Sequence, residues 1–259
     1  MTSASGVGPT RWSEALLVAI AAAVLTACAS GGAEPGELPG LPESEPSSSV
    51  GDSITGVGPT EFPGMDMPMP ADARSVTVTF ACTGGERFSL EIGDSMMLGQ
   101  APLSGTCDGE STLSWPIVEK TGPTLSVYVA DGVEWEATPE FSTEEFVMDA
   151  ALTSDCSQFS DVYSALLNAD TGYTQYKAFD ATEWTSRVDE ASADLVSLTS
   201  GAQPSLRAAL TRLSEAVSDP NRAVGAAVMT EAAQEPLGEI GDVCAVNQTP
   251  VIIKAEFGG

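Results

Sequence analysis

The hydrophobic periodicity of this 259-residue chain changes near residue 140, and this change constrains the fold more than any other feature. Upstream, apolar side chains recur at every second position, as in Val76, Val78 and Phe80, which is typical of half-buried strands. Downstream they recur every three or four residues, which is typical of amphipathic helices. Because the two patterns are segregated rather than alternating, we predict an α+β fold. We expect a small β-sandwich domain over residues 73–139 and an antiparallel helical bundle over residues 140–259.

Turn signals divide the upstream segment into short strands. Residues 76–82 and 88–92 both alternate, and the Thr-Gly-Gly-Glu sequence at 83–86 predicts a hairpin turn between them. Leu125, Val127 and Val129 predict a further inward-facing strand. Short strands separated by turns at this spacing are typical of a β-sandwich.

Several helix-start signals follow residue 140. Each is a capping box, a polar N-cap residue or a proline at the first helical position. The signals are Ser142 with Glu145, Ser154, Asp180 with Glu183, Pro204, and Asp219-Pro220. Pro236 is expected to precede a short last helix that ends near Cys244. Short connections between helices predict an antiparallel bundle, and Val251, Ile252 and Ile253 predict a final strand or an apolar tail on its surface.

Residues 1–27 have the features of a signal peptide. Residues 15–27 are apolar apart from Thr26, but this stretch is shorter than the roughly 20 residues that span a bilayer core. The sequence Leu25-Thr26-Ala27-Cys28 resembles the lipobox of bacterial lipoprotein precursors. The resemblance implies cleavage before Cys28, a diacylglycerol on its sulfur, and a lipid-anchored protein on the outer side of the cell membrane. The alternative is an ordinary secretory signal followed by a coincidental cysteine.

Four cysteines remain if Cys28 carries lipid, and an even number in an exported protein predicts two disulfides. Of the three possible connectivities we favour Cys82–Cys107 and Cys156–Cys244, because each pair lies within one segment of consistent pattern. The Cys-Thr-Gly and Cys-Asp-Gly sequences at 82 and 107 give residues 73–137 a resemblance to a small disulfide-bearing β module of actinobacterial envelope lipoproteins.

Residues 28–72 are predicted to form a lipidated N-terminus and a disordered acidic linker. The segment holds eight of the 17 prolines, many Gly and Ser residues, and no Lys or Arg. A segment of this composition cannot bury an apolar core and is expected to stay extended.

Charge and composition exclude several classes of function. The net charge of −27 opposes binding to nucleic acid, which requires the opposite sign. The chain has no histidine, which excludes Ser-His-Asp and Cys-His nucleophilic sites and His-ligated zinc sites. No phosphate-binding loop or dinucleotide fingerprint occurs. We therefore expect no cofactor and no enzymatic activity.

Two groups of residues are candidate ligand sites. Met65, Met67 and Met69 offer soft thioethers of the kind that bind Cu(I), although a linker with chance methionines is the alternative. Tyr173, Tyr176 and Trp184 precede or begin a long helix, where exposed rings would stack on a glycan. Their alternative role is to fill the top of the bundle, since aromatic side chains contribute large buried areas.

These observations favour a lipid-anchored cell-envelope protein that binds or scaffolds an envelope protein or a cell-wall glycan. Extracytoplasmic Cu(I) binding through the methionines is the first alternative. A carboxylate-based enzyme acting on glycans is the second, and its candidates are the clustered Glu144, Glu145, Glu140 and Asp149. Acidic residues in the first turns of a helix are more commonly structural, because they favour the positive end of the helix dipole.

Overall fold

The computed structural model describes residues 46–258. The predicted signal peptide, the predicted lipidation site Cys28 and the predicted linker up to residue 45 lie outside the described residues. The described chain is a mixed α+β protein, as predicted, in which a curled antiparallel sheet is followed by four helices.

Within residues 46–258, seven strands form one antiparallel sheet. They are β1 (Ser48–Val50), β2 (Ile54–Val57), β3 (Met65–Asp66), β4 (Ser75–Ile92), β5 (Leu103–Pro116), β6 (Thr124–Tyr128) and β7 (Glu134–Ser142). The 18-residue β4 is central. β5 pairs with one of its edges, whereas β7 and β6 share the other. β1 and β2 then pair with β7, and β3 pairs with β6. Of the predicted β-sandwich, the structure confirms the coarser feature, an antiparallel sheet that curls around an apolar core.

The predicted hairpin at residues 83–86 is wrong. The segment is an irregularity inside β4, where the register with β5 shifts between Thr83 and Arg87. Gly84 has a φ of +151°, which a glycine adopts without strain. A glycine pair permits a bulge as readily as a turn, and here β5 pairs with β4 on both sides of the irregularity. The two alternating runs therefore belong to one strand.

The predicted disorder of residues 28–72 is wrong over its described part. β1, β2 and β3 all lie in this segment and pair with the sheet. Met67 is 1% exposed in the sheet core, and Ile54 and Met69 pack against that core. Residues that enter an existing ladder gain backbone hydrogen bonds and apolar burial, which the composition of the isolated segment does not reveal.

Four helices follow the sheet. They are α1 (Ala150–Thr174), α2 (Ala181–Gly201), α3 (Pro204–Val217) and α4 (Glu231–Val246). α1 packs against α2 and α4, and α3 packs against α2 and α4. The predicted stripe of Trp184, Val188, Ala191, Leu195 and Leu198 is buried. Asp180 caps α2 through its carboxylate, and Pro204 begins α3, both as predicted.

The other start signals are wrong. Ser142 is already hydrogen-bonded in β7, and α1 begins at Ala150 with Asp149 as its N-cap. Ser154 lies inside α1, so no second helix begins there. Asp219 accepts a hydrogen bond from the amide of Asn221 in the loop after α3, where no helix forms.

The predicted short helix after Pro236 is wrong, because α4 begins at Glu231 and Pro236 lies within it. The buried residues Ala233, Ile240 and Cys244 give α4 a packed face on both sides of this proline. Tertiary packing therefore overrides the helix-breaking tendency of proline.

Both predicted disulfides are present. Cys82–Cys107 joins β4 to β5 beside the irregularity, and Cys156–Cys244 joins α1 to α4. Contact between sheet and helices is made chiefly by α4 and the turn after it, where Gln248 accepts a hydrogen bond from the amide of Ala101. Within residues 46–258, none of the helices is both long enough and apolar enough to traverse a bilayer.

Candidate binding surfaces

One face of the sheet is exposed and carries hydroxyl and carboxylate side chains. In β4, Val76, Val78 and Phe80 are fully buried, so the alternate residues Thr77 and Thr79 lie on the opposite face. β5 and β7 extend this outer face on the two sides of β4.

An open groove of about 620 Å³ crosses this face at Ala81. Ala81 pairs with Glu110 of β5 and with Glu136 of β7, so a carboxylate stands on each side of its methyl group. Because neighbouring strands lie about 4.8 Å apart, the backbones of these two glutamates are about 10 Å apart. Glu134, two residues before Glu136, adds a third carboxylate. We refer to the site formed by Thr55, Ala81, Glu110, Glu134 and Glu136 as the acidic groove.

The charge of the acidic groove is not neutralised by any residue between 46 and 258. None of the lysine and arginine residues that the structure describes lines it. Five cationic side chains within residues 46–258 form ion pairs with carboxylates of the helices or of the segment that follows α4. These pairs are Arg87–Asp242, Arg187 with Glu183 and Glu256, Arg212–Glu239, Arg222–Asp189 and Lys254–Asp161. Three adjacent carboxylates without cations favour a positively charged ligand.

Trp135 and Gly56 support the floor of the acidic groove. The indole of Trp135 is buried, and its Nε1 donates a hydrogen bond to the carbonyl oxygen of Gly58 at 2.9 Å. Gly56 lies opposite Trp135 in the ladder between β2 and β7, and any Cβ at this position would meet the indole ring. The close approach of β2 therefore requires glycine.

The carboxylates of the acidic groove lie on an open surface. Glu110, Glu134 and Glu136 are all exposed to solvent. The carboxylates that are clustered in sequence after residue 139 are spread over three parts of the structure. Glu140 lies on β7, Glu144 and Glu145 lie in the connection between β7 and α1, and Asp149 caps α1.

The three candidate copper ligands occupy different environments. Met65 lies in β3 and is 40% exposed, whereas Met67 is in the sheet core. Met69 is half-buried and packs against that core. The copper site stays a prediction, and the burial of Met67 disfavours it, because its thioether already has a packing role.

The three candidate glycan-stacking residues also differ in exposure. Trp184 is 2% exposed in the helical core, and Tyr173 packs against the same core beside it. Tyr176 is 50% exposed and stacks on Phe257, with ring centroids 5.6 Å apart. The alternative role in packing therefore describes Trp184 and Tyr173 better than glycan stacking does.

The buried carboxylate of Asp170, which the sequence analysis missed, explains why the indole of Trp184 lies inside the helical core. Asp170 of α1 is 1% exposed and accepts hydrogen bonds from Trp184 Nε1 at 2.9 Å and from the amides of Ala227 and Val228 at 2.9 and 3.0 Å. It thereby holds the loop before α4 against α1. The one signal in the sequence is an aspartate on the apolar face of a helix.

Comparison with protein-family models, curated proteins and solved structures finds no match for this chain. Within residues 46–258, no three His, Cys, Asp or Glu side chains converge on a point that would hold a metal ion. The geometry of the acidic groove and the sequence features are therefore the basis for a functional proposal.

Proposed function

We propose that this chain is an exported, lipid-anchored envelope protein that binds a basic partner protein through the acidic groove and catalyses no reaction. The proposal also includes the predicted architecture of a β-sandwich followed by an antiparallel helical bundle. The observation that carries the proposal is the row Glu110–Ala81–Glu136, with Glu134 beside it, in a groove that no lysine or arginine of residues 46–258 lines. Complementary charge on a partner accelerates encounter and selects against acidic competitors.

A protein partner fits this groove better than a glycan does. Sugar rings are commonly held by stacking on exposed aromatic rings, whereas Trp135 in the floor is 5% exposed. Lysine and arginine side chains would find three carboxylates and neighbouring hydroxyl groups such as that of Thr55. An exposed ion pair contributes only about 0–1 kcal/mol, so we expect affinity from several such pairs together.

Crosslinking in intact cells tests the binding proposal. A photo-crosslinker at Thr79, next to the acidic groove, is expected to capture a protein with a basic surface. The triple variant Glu110→Gln, Glu134→Gln, Glu136→Gln should reduce the captured yield at least tenfold. The matched control changes the same charge on the helices through Glu190→Gln, Glu215→Gln and Glu235→Gln, all at exposed positions. Equal yields from the two triple variants would refute a role for the acidic groove.

Mass spectrometry tests the location independently. The native chain is expected to begin at Cys28 and to carry a diacylglycerol on its sulfur. An unmodified Cys28 would overturn the lipid anchor, although it would leave the crosslinking result valid.

A further inference from the structure

The segment that follows α4 lies along α1 in an extended conformation. Its amides donate to three polar side chains spaced four residues apart on α1. Ile252 donates to Ser160 Oγ at 3.2 Å, Lys254 to Ser164 Oγ at 2.9 Å, and Glu256 to Asn168 Oδ1 at 2.9 Å. Asn168 also donates through Nδ2 to the carbonyl oxygen of Lys254 at 2.8 Å.

The spacing of the two elements explains this match. Four residues of an α-helix rise about 6.0 Å, and two residues of an extended chain span about 6.4–6.8 Å. Consecutive polar residues on one side of α1 therefore meet alternate amides of an extended backbone. Contacts to backbone atoms do not depend on the side chains of the bound segment, so this arrangement would accept other extended segments.

Side-chain contacts add selectivity. Lys254 forms an ion pair with Asp161 of α1. Glu256 forms one with Arg187 of α2 at 2.9 Å, and the guanidinium of Arg187 lies over the ring of Phe179 at 4.5 Å. Phe257 fits beside Gly172 of α1, where a Cβ would meet the rings of Phe257 and Phe179. The surface thus recognises a cation, an anion two residues later, and then an aromatic ring.

The segment is held mostly by contacts that solvent can replace. Ile252 is 62% exposed and Ile253 is 39% exposed, and side chains of both ion pairs are substantially exposed. Exposed ion pairs of this kind contribute little to stability, because solvent and salt screen them. Segments with little apolar burial open at a small fraction of the free energy of global unfolding. A partner with the same pattern can therefore compete for this site.

We propose that Ser160, Ser164, Asn168, Asp161 and Arg187 form a binding site for an extended peptide of a partner protein, and that residues 252–257 of the chain occupy it when no partner is bound. We call this site the α1 groove. It lies on the helices, so the proposal does not depend on the lipid anchor or on the acidic groove.

Peptide binding to the full-length chain tests the proposal. The probe is a fluorescently labelled synthetic peptide with the sequence of residues 249–258. The double variant Lys254→Glu, Phe257→Ala weakens the resident segment and leaves the α1 groove unchanged. This variant should bind the probe at least tenfold more tightly than the wild-type chain. Adding Asn168→Ala to it should weaken binding at least tenfold, because Asn168 makes two of the backbone contacts.

Two further results decide between specific and adventitious binding. A peptide in which the lysine and the glutamate are exchanged should bind at least tenfold more weakly. In the wild-type chain, excess unlabelled probe should accelerate hydrogen exchange at the amides of Ile252, Lys254 and Glu256. Equal affinity of the wild-type chain and the double variant, or equal affinity of the two peptides, would overturn the proposal.

Discussion

Replacing Asp170 with alanine tests how the helical part is held together. The carboxylate is 1% exposed and has three donors, namely Trp184 Nε1 and the amides of Ala227 and Val228. A buried donor that loses its acceptor costs about 1–3 kcal/mol. Three such donors set a lower bound of about 3 kcal/mol, and we expect Asp170→Ala to lower the free energy of unfolding by about 4 kcal/mol. This is a large fraction of the roughly 5–15 kcal/mol that stabilises a typical domain.

Urea denaturation of the oxidised protein, followed by tryptophan fluorescence, measures this change. With an m-value of about 2–3 kcal/mol/M, the midpoint should fall by about 1.3–2 M. Asp170→Asn should cost less, about 2–3 kcal/mol, because its amide oxygen still accepts hydrogen bonds whereas its NH₂ group faces a donor. Asp194→Asn is the matched control on α2, where the side chain is exposed, and should change stability by less than about 0.5 kcal/mol. A loss below about 1 kcal/mol for Asp170→Ala would refute the assigned role.

Three further predictions follow from local geometry. In the chain-entropy relation, removing Cys156–Cys244 by serine substitution should lower the free energy of unfolding by about 4.6 kcal/mol, and removing Cys82–Cys107 should lower it by about 3.5 kcal/mol, since the sequence separations are 88 and 25. A larger loss on removing Cys82–Cys107, measured by urea denaturation, would contradict this. Gly56→Ala should destabilise the sheet by about 1–3 kcal/mol, because its Cβ meets the indole of Trp135, and unchanged thermal unfolding would argue against that contact. Burial in α1 raises the pKa of Tyr163 above its ordinary value of 10.0, so the neutral phenol stabilises the folded chain below pH 10 and this contribution is lost as the pH rises above it. Tyr163→Phe should therefore lose less stability at alkaline pH than the wild-type chain, and identical stability profiles against pH would be inconsistent with that burial.

Periodicity and spacing predicted those parts of the fold that depend on local patterns. The α+β class, the buried stripe of α2, the cap at Asp180 and the start of α3 at Pro204 all follow from residues close in sequence. The two disulfides were also predicted correctly, because each joins cysteines within one patterned segment. These features need little knowledge of distant neighbours.

Three of the wrong predictions share one physical origin. Gly84 and Ser142 each satisfied a local rule for a turn or a helix start, yet both lie within strands whose pairing partners are distant in sequence. The Pro- and Ser-rich residues 46–72 satisfied the rule for disorder, yet β1, β2 and β3 gain ladder hydrogen bonds from β7 and β6. Local rules do not include the free energy gained from long-range partners.

The candidate sites divide in the same way. Sequence reasoning found the residues that are chemically unusual, such as Met67 and Trp184, and both are buried in a core. The acidic groove was not predicted, because Glu110 and Glu136 are ordinary in sequence and become neighbours of Ala81 only through β4. The alternation of Glu134 and Glu136 with buried Trp135 and Ala137 was the only available signal.

The order of residues was sufficient for the fold class, for the cysteine pairing and for the net charge, because each depends on composition or on patterns within a short window. The placement of that charge depends on strand register, which pairs residues up to 94 positions apart, as with Ser48 and Ser142. Register is set by which face of each strand is buried against the others. Only the folded chain therefore determines that three glutamates share one groove and that a buried aspartate fixes a loop.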